Sequence, residues 1–207
     1  MYILDSVNLD DKNQEKDKMM KLKPKNIQLK DGQIAIVRSA MERDAEQYLQ
    51  LGKSIMSEEI FTLTQVSEMK MTIDQEKSWI QSNIDNKNHI ILVVEKEDKL
   101  IGQIDFSNGH RQRIEHTGAF GMGVHKDFRG QGVGSILLQE LITWATAHHT
   151  IEKINLCVHH TNTRAISMYK KFGFQKEGVR TKDLKYGHDQ YVDTVLMGLW
   201  VKNIEDL

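Results

Sequence analysis

One cysteine, one proline and no long apolar run make up the scarcities of this chain, and each removes a class of protein. A lone thiol, Cys157, cannot form an intrachain disulfide, which excludes a disulfide-stapled scaffold and fits a reducing, cytoplasmic setting. One Pro and 14 Gly among 207 residues exclude collagen-like and proline-rich architectures. The longest aliphatic stretch, Ile90-Ile91-Leu92-Val93-Val94, falls far short of the roughly 20 residues of a spanning helix. The first residues carry no basic segment followed by an apolar one, so no secretory signal is expected. An excess of one charge is also missing. Lys plus Arg number 28 against 29 Asp plus Glu, which gives no electrostatic ground for nucleic acid or an anionic membrane as a partner. Nine histidines are present, but they lack zinc-type spacing with cysteine, and neighbours such as His159-His160 face opposite ways on a strand; no metal is expected.

What remains is enough for one globular domain: 39% hydrophobic and 28% charged residues over a length that buries most of its surface on folding. Residues 1–30 mix Lys and Asp without periodicity, with Pro24 inside a lysine run, and read as an extension ahead of a domain over 31–203. Periodicity then predicts a strand over 34–37 and a helix over 40–53 with Ala45, Leu49 and Gly52 on one face. A second helix starts at Thr72, with Trp79, Ile80 and Ile84 as its apolar stripe. Strands over 89–95 and 100–106 flank a polar turn at 96–98 and form an antiparallel hairpin. The stretch 109–115 reads as a loop before a strand over 116–124 that carries Gly118, Gly121 and Gly123. Glycine inside a strand weakens it and marks a bulge or a close approach to the backbone.

That strand runs into Arg129-Gly130-Gln131-Gly132-Val133-Gly134-Ser135 and then a strongly apolar helix. A glycine-rich turn at a helix start leaves backbone N–H groups uncovered at the positive end of the helix dipole, which suits a phosphate; Arg129 adds a cation at the rim. Ser135 stands where a dinucleotide fingerprint needs its third glycine, and no Lys follows as a Walker loop requires. The pattern left is R-x-x-G-x-G, which by itself also suits a helix entry without a ligand. Downstream, 153–158 alternates as a strand, and Asn162-Thr163-Arg164-Ala165-Ile166-Ser167-Met168-Tyr169 leads into a short helix ended by Gly173-Phe174.

Taken together, R-x-x-G-x-G, N-x-x-A-x-x-x-Y and G-F in this order resemble the GCN5-related N-acetyltransferase (GNAT) superfamily over about residues 33–201. The resemblance implies a single α/β domain: a mixed, mostly antiparallel sheet with flanking helices and one splayed parallel strand pair. It implies acetyl-CoA as co-substrate, with the pyrophosphate on Arg129, Gly130, Gln131, Gly132, Val133, Gly134 and Ser135, and the pantetheine arm along a bulged strand at Met122, Gly123 and Val124. Asn162 is implied on the far wall of the cleft, and Tyr169 as the acid that protonates the leaving thiolate; as a residue, Tyr169 also reads as amphipathic core. The partner implied is an amine acceptor, on a small molecule or a protein N-terminus, and many relatives are homodimers.

The chain departs from the family pattern in two places. Cys157 stands where several relatives carry a glutamate base, and reads as a small apolar filler. Lys126 stands where many relatives have proline. With that base gone, Glu115 is the candidate for proton acceptor, with His116 beside it; each equally suits a solvated strand end. The C-terminal stretch 185–197 is similar to ribosomal-protein-alanine-type N-acetyltransferases, although any family member needs such a hairpin to close its sheet. A reading from another class, a non-catalytic acyl-CoA sensor, rests on the loss of that base; Asn162 and Tyr169 speak against it.

Overall fold

Residues 21–58 and 61–202 are described by the structure, a computed structural model. The aliphatic run Ile90 to Val94 sets its layering. In β3 (Ile90–Lys96), Ile90, Leu92 and Val94 enter one hydrophobic core, while Ile91 and Val93 enter a second on the opposite face. A strand buried on both faces must carry helices on both faces. Ahead of it lie β1 (Lys25–Gln28), β2 (Ile34–Ser39), α1 (Ala45–Met56) and α2 (Ile73–Asp85). After it come β4 (Lys99–Asn108), β5 (Thr117–Val124), α3 (Val133–Ala147), β6 (Lys153–His159), α4 (Thr163–Lys171), β7 (Gln175–Gly187) and β8 (Gln190–Trp200). Val133, Leu137, Leu138 and Leu141 of α3 and Tyr169 of α4 fill the larger core; Tyr48 and Leu51 of α1 and Ile80 of α2 fill the smaller.

The eight strands form one sheet in the order β1-β2-β3-β4-β5-β6-β8-β7, antiparallel throughout except for the β5–β6 pair. This is the mixed sheet that the sequence implies. Local signals work as expected at several joints. The Thr72 side chain accepts the Gln75 N–H and Gln75 returns the bond, a reciprocal cap that starts α2 where the sequence places it. Glu97 and Asp98, both at positive φ, make the two-residue turn between β3 and β4. Among the described residues no helix is long and apolar enough to cross a membrane.

Three expectations change. The sheet begins inside the stretch read as an extension: β1 pairs with β2 from Lys25↔Val37 to Gln28↔Ile34, and its polar composition is that of a short edge strand. Residues 1–20 of that stretch, and residue 203 at the other end of the assigned domain, lie outside the described residues. The first helix starts at Ala45 rather than 40, because Glu42–Asp44 forms a separate 3-10 turn in which the Asp44 carboxylate accepts the Met41 N–H. Finally, β5 carries no bulge. Its ladder with β4 runs unbroken from Gly118↔Asn108 to Val124↔Gly102.

Candidate functional site

The parallel pair β5–β6 keeps register over three residue pairs, Thr117↔Lys153, Gly118↔Ile154 and Ala119↔Asn155, just after the His116 carbonyl accepts the Glu152 and Lys153 N–H groups. Beyond them β5 continues against β4 to Val124 and β6 continues against β8 to His159, so the strands part. The carbonyl of Thr117 accepts the Gly109 N–H, and the His125 N–H donates to the carbonyl of Ile101. By antiparallel alternation the odd residues of β5 then bond to β4, and Phe120, Met122 and Val124 turn their backbone groups into the opening. The backbone groups of Met122 and Val124 therefore face the opening, whereas the amide of Gly123 faces β4. The glycines of β5 serve close packing. A Cβ on Gly118 would overlap the Phe106 ring, and one on Gly123 would lie 2.5 Å from Ile55 Cδ1.

At its end β5 passes through a 3-10 turn, Lys126–Phe128, into the glycine turn. Gly130 and Gly132 have φ of 86° and 96°, a region that favours glycine, and Gly132 caps α3. The first-turn amides of Val133, Gly134 and Ser135 have no partner within the 15-residue helix, whose first turn also carries no acid. Gly134 is not demanded by packing: a Cβ there would find only ordinary contacts, at 3.7–3.8 Å, with Met122, Val124 and Met168. Its bare backbone leaves room beside the cleft. Gln131 accepts the Lys30 N–H through its carbonyl, tying the turn to the β1–β2 connection. Arg129 is docked rather than free. Its guanidinium donates two bonds to the Glu58 carboxylate, at 2.5 and 2.8 Å, and Nε donates to the Val124 carbonyl at 3.2 Å. The hydrogen bond from Arg129 holds the Glu58 carboxyl below its usual range. Glu58, 71 positions away, has no sequence signal that would connect it to the turn.

Across the opening, Asn162 caps α4, its side-chain oxygen accepting the Ala165 N–H at 3.1 Å. The Tyr169 ring is buried against Phe120, at 5.8 Å between centroids, and against Phe174. Its hydroxyl makes no hydrogen bond among the described residues, and burial pushes it up to about 12, so it keeps its proton at neutral pH. Tyr169 is thus a core ring set edge-on to a residue of the opened edge. Glu115 and His116 are elsewhere. Both precede the three-pair junction, at the closed end of the strand pair; Glu115 is exposed and His116 stacks on Trp200. The structure does not bring Glu115 to Tyr169. Cys157 is no filler either. It is exposed, on the face of β6 opposite to Ile154, Leu156 and Val158, which fill the larger core.

On the side of the sheet covered by α1 and α2, β5 presents Ala119, Gly121 and Gly123 opposite Ser107, Asp105 and Gln103 of β4. A Cβ on Gly121 would lie 3.2 Å from Asp105 Oδ1, so the carboxyl leans over the strand between Phe120 and Met122. Behind it are Glu76 of α2, only 4% exposed, and Tyr48 of α1, whose sealed hydroxyl has no hydrogen-bond partner. Burial raises Asp105 to about 6; burial and the nearby Asp105 raise Glu76 to about 7. The sequence reading missed this trio. On the β6 side, His159 lies edge-on to Phe61 and Tyr186 at 5.7 Å, and burial lowers its pKa.

Comparison with known proteins agrees with this geometry. The sequence profile of the acetyltransferase (GNAT) family matches residues 54–174. The L-amino acid N-acetyltransferase AaaT of Escherichia coli K12 is 28% identical over 163 residues, 78% of this chain and 95% of that protein. The crystal structure of a GNAT-family acetyltransferase from Streptococcus pneumoniae superposes with a TM-score of 0.78 at 25% identity, over 81% of this chain and 99% of that one. A Salmonella typhimurium acetyltransferase solved with its cofactor acetyl-CoA shares the fold, with a TM-score of 0.71 at 18% identity, over 81% and 94%. Similar proteins carry differing names, so the likeness to ribosomal-protein-alanine-type enzymes widens to the family as a whole. The chain belongs to the acetyltransferase (GNAT) family and is an N-acetyltransferase.

Proposed function

We propose that the opening between β5 and β6, with the turn Arg129 to Ser135, holds acetyl-CoA, and that the chain transfers the acetyl group directly to a primary amine of a small molecule or a protein N-terminus. The observation that carries this reading is the free backbone edge Phe120–Val124 leading straight into the uncovered amides of α3. Those amides and the dipole of a long helix suit a pyrophosphate, and the space at Gly134 admits a group close to the backbone. Arg129 contributes its charge there once it exchanges Glu58 for phosphate oxygen. Acetyl-CoA supplies the acetyl group as an activated thioester.

The chain's own groups do the rest. The amides of Met122 and Val124 face the cleft as donors for a carbonyl oxygen that gains charge, a role worth several kcal/mol in other enzymes. Tyr169 keeps its hydroxyl proton to about pH 12 and has it ready for a departing thiolate. Asn162 holds α4, and thereby Tyr169, against the cleft.

Calorimetric titration with acetyl-CoA, with NADH and ATP as controls, tests the reading; binding of acetyl-CoA alone is expected, and its absence refutes the assignment. Two variants refine it. Gly134→Ala should stabilise the helix by about 0.5–1 kcal/mol yet weaken acetyl-CoA binding, since the new Cβ clashes with nothing in the protein. Tyr169→Phe should lower kcat on the order of 10²-fold with little change in acetyl-CoA affinity.

A further inference from the structure

Charged groups taken out of water are normally paired, and buried hydroxyls normally bonded. The trio behind Gly121 meets neither norm. Glu76 is almost fully buried, yet its carboxyl has no hydrogen bond or salt bridge among the described residues. Among the described residues Asp105 has no cation acting on it either; what lowers its pKa is the neighbouring Tyr48 hydroxyl and its own backbone amide. The Tyr48 hydroxyl is sealed from solvent and faces Asp105 without reaching hydrogen-bond geometry. Among the described residues the elements packed around Asp105 offer nothing further that titrates: α1 faces it with Tyr48, α2 with Glu76, β3 pairs with it at Ile91, and β5 at Gly121. Gly121 is exposed and lies between Phe120 and Met122, whose amides face the cleft. Two carboxyls and a hydroxyl, with no cation of the described residues among them, therefore border the backbone edge on which the proposed cleft would hold the thioester.

We propose that Asp105, backed by Glu76 and Tyr48, is the pocket for the acceptor's ammonium group, and that Asp105 is the base that removes its proton. This rests on the reading of the cleft as an acetyl-transfer site. An ammonium brings the missing positive charge and up to three N–H donors to oxygens that lack them. In the step itself one N–H bond breaks and an O–H bond forms on Asp105, which leaves the electron pair on nitrogen free for the acyl carbon; Asp105 later passes the proton to water. Glu76, which holds its proton more tightly than Asp105, keeps the pair at a single negative charge near neutral pH, and the two titrate as a unit. The role belongs to Asp105 and not to Glu115, which lies beyond the closed end of the strand pair.

The test uses the full chain, acetyl-CoA, and two probe acceptors, n-pentylamine and L-norleucine, which share a carbon chain and differ in the α-carboxylate. Wild type should release CoA thiol with at least one of them, with kcat/KM rising through an acid limb between about pH 6 and 7. Asp105→Asn should cost roughly 100-fold or more in kcat/KM and abolish that limb, while acetyl-CoA binds within about twofold of wild type. A second readout needs no turnover. If the carboxyl is kept buried and unpaired for a ligand, Asp105→Asn should raise the urea midpoint at pH 8 and leave it nearly unchanged at pH 4. Three results overturn the proposal: an Asp105→Asn enzyme that keeps the rate or the acid limb, a midpoint that falls at pH 8, or wild-type enzyme that binds acetyl-CoA but acetylates neither probe. Failure to bind acetyl-CoA at all refutes the function proposed above instead, so the two readings fail separately.

Discussion

Two acidic clusters back onto the sheet beneath α1 and α2, and the fold treats them in opposite ways. Arg38 of β2 is 4% exposed and sits between two carboxylates: its guanidinium grips Asp44 with two bonds, at 2.6 and 2.8 Å, and reaches Glu95 through Nε at 2.9 Å. Asp44 stays below its usual pKa, because the bonds from Arg38 and the Met41 amide outweigh the upward push of burial. Glu76 and Asp105 have no such partner among the described residues, and both are raised. The first cluster fixes the entry of α1 and is closed to any ligand. The second is a charge deficit left in the fold beside the opened strand, which the carboxyls meet by holding their protons more tightly.

The comparison can be broken from the paired side, where the effect is largest. Arg38→Met leaves Asp44 buried and unpaired and should cost about 3–5 kcal/mol of unfolding free energy by urea titration at pH 7. Most of that loss should vanish near pH 3, where Asp44 accepts a proton. On the unpaired side the sign reverses. A carboxyl whose folded pKa is raised is harmless below its unfolded value near 4.5 and costs stability as pH climbs through about 7. Glu76→Gln should therefore stabilise the chain by about 1–3 kcal/mol at pH 8 and by almost nothing at pH 4. A loss at pH 8 would mean that Glu76 has a structural partner after all. The smallest effect belongs to the partly exposed pair Arg129–Glu58. Glu58→Gln should change stability by less than about 1 kcal/mol and tighten acetyl-CoA binding by up to about fivefold, because Arg129 no longer has to leave a carboxylate.

These differences explain what could be read from the sequence. The turn at Gly130 to Gly134, the cap at Thr72 and the run Ile90 to Val94 are local patterns, and each appears where the sequence puts it. Tyr48, Glu76 and Asp105 look ordinary one at a time: an aromatic on an amphipathic helix, an acid in a first helical turn, a polar position between Ile104 and Phe106 on a strand. Only tertiary packing shows that they are neighbours and that no cation among the described residues pairs with them. Glu115 lies away from the opening, and the sequence hides this for the complementary reason. Its place next to a strand start is visible in sequence, but where β5 and β6 part company is not. Likewise Lys25–Gln28 gives no apolar signal, because an edge strand offers little to the core.

The three-pair junction has a mechanical consequence. Five strands, β1 to β5, form one continuous antiparallel ladder, and β6, β8 and β7 form another; among the described residues the two are stitched only over the short stretch from His116 to Ala119. This seam of the sheet thus coincides with the proposed acetyl-CoA cleft, and a ligand that pairs with Phe120 to Val124 would act as a ninth strand. A ligand held there at 100 times its Kd adds about 2.7 kcal/mol to the stability of the whole chain. Occupancy of the cleft and rigidity of the molecule rise together, so amide exchange slowed across β5 and β6 is a direct gauge of how full the site is.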